Sequence, residues 1–146
     1  MKPLSKEFFE EEAQKKLVYA DIFTYKNPVI TIKTKGRTYG ALSRHVDKLG
    51  VKLPDLALGT AAFIDPYIFV ALWDDESPYS PQHLSACAVA ILNVAFRNDV
   101  KLIAMPPLGG KAGMKHLWIV EAALFEAGDV MDNAGFEIPE HVYVRM

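Results

Sequence analysis

Cysteine is nearly missing from this chain of 146 residues. Cys87 stands alone, which excludes an internal disulfide framework and any zinc site built on several cysteines. An excess of one charge is missing too. Sixteen Lys+Arg face eighteen Asp+Glu, a net charge of -2. A nucleic-acid binder presents a basic face to the phosphates, so nucleic acid is not expected as a partner. No apolar run reaches the ~18 residues of a membrane span, and the longest, residues 86–96, is broken by Asn93. Near the start, Glu7 and the run Glu10-Glu11-Glu12 interrupt what a signal peptide would need as an apolar core. The expectation is a cytoplasmic protein with no membrane partner. Internal repeats and low-complexity linkers are absent. Two phosphate-binding motifs are absent as well. A P-loop ending at Gly110-Lys111 would need glycine at 105 and a hydroxyl at 112, where Met105 and Ala112 stand, and no G-x-G-x-x-G occurs.

What the chain does have is enough apolar material for one packed domain: hydrophobic residues make up 51% and charged residues 23%. Residues 5–16 read as a short helix, with Ser5 as its cap and Phe8, Phe9 and Ala13 on an apolar side. Strand character follows over 17–20. Val29-Ile30-Thr31-Ile32 is a dense β-branched run behind Pro28, which suits the first position of a strand. Gly36 and Gly40 bracket a loop, and residues 41–49 look helical with Gly50 as the stop. Residues 67–72 are almost continuously apolar, as in a central strand covered on both faces. After a loop over 74–81, Ser80 and Pro81 form a helix start, a capping hydroxyl before a proline. Leu84, Cys87, Ala88, Ile91, Leu92 and Ala95 then recur at helical spacing. A strand over 101–105, a helix over about 114–127 and a closing strand over 142–144 complete the pattern. Strands alternating with helices predict an α/β sheet with helices on both faces.

Ligands of such sheets bind beyond the carboxyl ends of the strands. The strongest candidate is the strand and glycine-rich turn of residues 102–113, which runs into a helix. Its glycines permit close backbone approach, its free N–H groups attract anions, and Lys111 adds a positive charge. A phosphate-bearing ligand and a plain tight turn are both compatible with it.

The order of these motifs resembles that of the macro domain, an ADP-ribose-binding family. Tyr19-Ala20-Asp21-Ile22 resembles the family's Gly-Asp-Ile at the end of an early strand. Residues 29–34 match the following strand, Gly40-Ala41-Leu42 sits at the first glycine-rich loop, and residues 103–110 are similar to the strand, proline and second loop. The resemblance implies a three-layer α/β/α fold with a mixed sheet in a single domain over 17–146, preceded by a helical extension over 1–16. It implies a binding module for ADP-ribose or a related nucleotide phosphate, weakly catalytic or not catalytic, and no cofactor. Asp21 would accept a hydrogen bond from the adenine amine, and the backbone of Ile22 would support the same ring. Gly40 and Ala41 would form one wall. Leu108, Gly109, Gly110, Lys111, Ala112 and Gly113 would cradle the diphosphate and distal ribose.

Departures from the family pattern qualify this. The usual Asn-Ala-Ala-Asn is here Lys33-Thr34-Lys35-Gly36, which weighs against removal of ADP-ribose from proteins, and no aromatic lid is expected beyond the last strand. Two alternatives follow. One is a hydrolase or phosphatase of ADP-ribose derivatives, with His45 and Asp47 as acid–base candidates. The other is a degenerate fold that serves protein assembly. Outside these motifs, His45, His83, His116 and His141 lack ligand spacing and read as surface or helix-end residues. Cys87 reads as a buried inert thiol. Asp74-Asp75-Glu76 reads as a solvated loop rather than a cation site, and Trp73 and Tyr79 flank it. Lys33, Lys35 and Arg37 form a small basic patch that suits a phosphate group or a short nucleic-acid end, with a solvated loop as the plainer reading.

Overall fold

The computed structural model describes residues 4–75, 80–108 and 114–146. Helix α1 (Lys6–Lys15) begins where Ser5 accepts a hydrogen bond from the Phe8 amide at 3.2 Å. Strand β1 (Leu17–Tyr19) follows, then β2 (Val29–Lys33) and the short β3 (Arg37–Thr38). Helix α2 covers Gly40–Lys48. Strands β4 (Ala61–Ile64) and β5 (Tyr67–Trp73) lead to α3 (Pro81–Arg97). Strand β6 (Leu102–Met105), α4 (Leu117–Asn133) and β7 (Glu140–Arg145) close the chain.

The strands form two half-sheets. In one, β7 lies between β1 and β6, all parallel. In the other the order is β3-β2-β5-β4, with β2 and β5 parallel and both β3 and β4 antiparallel to their neighbours. A single parallel bridge, Pro28 to Ala104, joins the halves. One edge of β2 therefore meets β6 only at its start, and meets β3 at its end. The seam between the halves lies open toward the carboxyl ends of the strands, the position where open α/β sheets hold ligands.

The alternation of β5 builds two cores. Ile68, Val70 and Leu72 face α3 and α4, together with Ala13 of α1. Phe69 and Ala71 face the other way, with Ile30, Ile32, and Val46 of α2. Helices thus cover both faces, giving three layers, α/β/α. Helix α1 lies along α4, with Phe9 edge-on to Phe125 at 5.6 Å between ring centroids. Cys87 is fully buried on α3, and burial pushes its thiol up to about 12, so it is not a nucleophile. Among the described residues no helix is long and apolar enough to cross a membrane.

Three details differ from the sequence expectations. Residues 61–64 form an edge strand, although Ala61-Ala62 has weak strand preference; pairing with β5 overrides it. Arg37–Thr38 is a strand rather than loop. Ser80 occupies the cap position of α3, but its side chain makes no capping hydrogen bond.

Among the described residues Gly36 is the tightest glycine. Its φ is +65°, and a Cβ there would stand 2.8 Å from the Leu53 carbonyl oxygen. Gly36→Ala is expected to cost on the order of 2–4 kcal/mol, from left-handed strain plus a backbone clash. Urea unfolding checks this, and a shift under about 0.5 kcal/mol would contradict it.

Candidate functional site

The strand ends at the open seam bring Asp21 and Ile22 together. Strand β1 ends at Tyr19, and the Ala20 amide donates to the Arg145 carbonyl at 3.1 Å. Asp21 then starts a single tight turn, Ile22–Thr24, and its Oδ1 accepts from the Phe23 amide at 3.0 Å. The Asp21 side chain is exposed, while Ile22 is fully buried against Ala104 and Val144. Sequence therefore sets an exposed carboxylate next to a buried apolar side chain.

A hollow of about 240 Å³ opens there, between the ends of β1, β6 and β7. Ile22 and Val144 line it from the sheet, Leu42 from α2, Pro106 and Pro107 from the turn after β6, and Met114 from beyond that turn. It is smaller than the ~300–1,000 Å³ of a whole-ligand pocket, and suits one ring system. Its lining is mostly apolar, with Met146 and the charged Arg145 completing it at the end of β7.

Gly40 and Ala41 form the first turn of α2, with Gly40 at φ +78°. Ser43, fully buried, accepts from the Tyr39 amide at 2.6 Å, and this bond fixes the entry into the helix. No side chain caps the α2 start, so its first N–H groups keep their positive end unneutralised by the protein. Leu108 is buried in the main core, which anchors the start of the second loop. Gly109, Gly110, Lys111, Ala112 and Gly113 lie outside the described residues.

The basic patch expected from Lys33, Lys35 and Arg37 is altered by pairing. A bulge in the β2–β5 register sets Lys33 opposite Trp73. Asp75, two residues on, accepts from Lys33 Nζ at 3.3 Å and from Arg37 Nη1. The Arg37 guanidinium, and then Lys33, hold the Asp75 carboxyl below the usual carboxylate range. Trp73 stacks on Tyr39, 5.6 Å between ring centroids with 18° between the planes. Tyr79 and Glu76 lie outside the described residues. Among the described residues, no group of His, Cys, Asp or Glu is placed to hold a metal.

The acid–base candidates do not converge. His45 is exposed on α2 and packs on Phe23 at 4.7 Å between ring centroids. Asp47 is exposed too, and two residues along a helix do not share a face.

His141 corrects the surface reading of the histidines. It sits on β7, and its Nε2 lies 2.7 Å from Oε1 of Glu121, a fully buried carboxylate on α4. Tyr143 donates to the same oxygen at 2.8 Å, and Lys16 pairs with the other. Burial alone would push Glu121 up. The hydrogen bonds from His141 and Lys16, with His141's charge and the Tyr143 hydroxyl, outweigh it and hold the carboxyl at about 2. The signal was present in the sequence: Leu117, Val120, Glu121 and Leu124 fall at helical spacing, so position 121 lies on the buried stripe. This cluster stands at the amino-terminal part of β7, away from the hollow.

Elsewhere, a groove of about 660 Å³ runs between α3 and α4, past Val89, Trp118 and Ala123. It is larger and mostly apolar, and it lacks the convergent polar groups that orient a nucleotide.

No protein-family model matches the sequence, and no curated protein matches it. Solved structures do match the fold. The macrodomain of Thermus aquaticus DarG superposes with a TM-score of 0.61 at 14% identity, covering 90% of this chain and 97% of that one. The macrodomain of Mycobacterium tuberculosis DarG gives 0.63 at 15% identity, covering 89% and 97%. The chain therefore has the macrodomain fold, carried by a sequence far diverged from both.

Proposed function

We propose that this protein is a binding module for ADP-ribose or a related nucleotide phosphate, weakly catalytic or not catalytic. One observation carries the reading: the exposed Asp21 directly precedes Ile22, which lines a mostly apolar hollow at the carboxyl ends of β1, β6 and β7. A carboxylate accepts the hydrogen bond that an adenine amine donates, and an apolar floor takes the ring face. The open positive end of α2 at Gly40 and Ala41 favours the anionic part of such a ligand. The loop of Gly109 to Gly113 is assigned to the diphosphate by the same reading. The separation of His45 from Asp47 favours binding over turnover.

Calorimetry with ADP-ribose tests this. The expected result is saturable heat at one site per chain, with a thermal upshift on ligand addition. Absence of both at about millimolar ligand, where even −4 kcal/mol of binding would register, would overturn the reading.

A further inference from the structure

We infer that Asp75 is a built-in counter-ion, which competes with the anionic part of the ligand for Arg37 and Lys33. The inference rests on the nucleotide reading and specifies which side chains meet the ligand's negative charge.

Lys33 ends β2, Arg37 begins β3, and Asp75 follows β5, so three chain segments meet at the carboxyl edge of one half-sheet. Arg37 lies three residues before Gly40, where α2 starts. Its Nε donates to the Thr34 carbonyl at 3.1 Å and its Nη2 to the Thr34 hydroxyl at 3.5 Å, which holds the guanidinium and leaves Nη1 to Asp75. Lys33 reaches the other Asp75 oxygen at 3.3 Å. One carboxylate thus engages both cations and cancels one of their two charges.

The Asp75 contact is inexpensive to break. Its side chain is 55% exposed and Arg37's is 40% exposed, and ion pairs in such surroundings add little stability. A released carboxylate returns to water with little loss. A phosphate oxygen can take the same Nη1 contact, and the group carries more charge. On this inference Lys33 and Arg37 are a cation pair kept occupied until an oxyanion takes the place of Asp75. Lys33 is registered opposite Trp73, which stacks on Tyr39.

The test compares wild type, Asp75→Asn and Asp75→Asn/Arg37→Gln, each first shown to unfold at a similar temperature. ADP-ribose and inorganic pyrophosphate are titrated at about 20 mM and about 500 mM salt, bracketing strong and weak screening. Asp75→Asn is expected to tighten ADP-ribose about three- to tenfold at low salt, with the gain lost at high salt and in the double variant. If wild type binds ADP-ribose and Asp75→Asn leaves the affinity unchanged or weaker, the counter-ion role is overturned and the nucleotide reading stands. If no form binds ADP-ribose, that reading falls, and pyrophosphate decides this one. Tighter pyrophosphate binding by Asp75→Asn than by wild type or the double variant supports the counter-ion role, and equal binding overturns it.

Discussion

Asp21→Ala is expected to weaken ADP-ribose binding at least tenfold while leaving the fold intact. The carboxylate does two things. Its Oδ1 accepts from the Phe23 amide and holds the turn over buried Ile22. Its exposed edge is the acceptor proposed for the adenine amine. A hydrogen bond to a charged group contributes about 1.5–3 kcal/mol, which is roughly ten- to a hundredfold in affinity. Loss of the cap on so short a turn costs only about 1 kcal/mol, so the unfolding temperature moves little. Asp21→Asn separates the two roles. Asparagine keeps an oxygen to accept from Phe23, and it loses the charge that favours an amine donor. An intermediate loss is expected for Asn, and the larger loss for Ala. Calorimetry on both variants checks this. Equal affinities in wild type and Asp21→Ala would remove Asp21 from the site.

Replacing Glu121 should cause a large loss of stability. Glu121→Ala strips the partner from Lys16, His141 and Tyr143 at once, inside a buried region. Removing one member of a buried ion pair costs roughly 3–5 kcal/mol. The pH dependence follows from the sign of the shift. The folded carboxyl sits at about 2, below its ordinary 4.5. A depressed acid contributes stability that is complete above its unfolded pKa and is lost as the pH falls toward the folded one. Wild type should therefore lose on the order of 2–3 kcal/mol from this group between about pH 5 and pH 2. Glu121→Gln should be less stable at neutral pH and should lack that part of the acid-side decline. Urea midpoints measured from pH 7 to pH 3 test both statements. Parallel curves for wild type and Glu121→Gln would show that the carboxylate contributes nothing specific.

The parts of this fold that were legible in the sequence are those dictated locally. The unbroken apolar run at 67–72 could only be a strand covered on both sides, and β5 is that strand. The Ser80-Pro81 start and the Leu84-to-Ala95 stripe placed α3 correctly, though proline and position, rather than the serine hydroxyl, make the start. What stayed hidden depends on contacts between distant segments. Nothing around Ala61 announces a strand until β5 lies beside it. Asp75 looked like one member of an acidic loop, because its cations lie 38 and 42 residues away. His141 looked like an exposed histidine, because its partner belongs to α4. Asp21 and Ile22 are neighbours just beyond the end of β1, so their placement is local and follows from the strand. The pairing that alters Lys33 and Arg37 required the fold.

The most direct test is a crystal structure of the protein grown with ADP-ribose. The account predicts the adenine ring against Ile22, its amine on the Asp21 carboxylate, and the diphosphate near the start of α2. A nucleotide seated elsewhere, such as the groove between α3 and α4, or an empty hollow at saturating ligand, would contradict it.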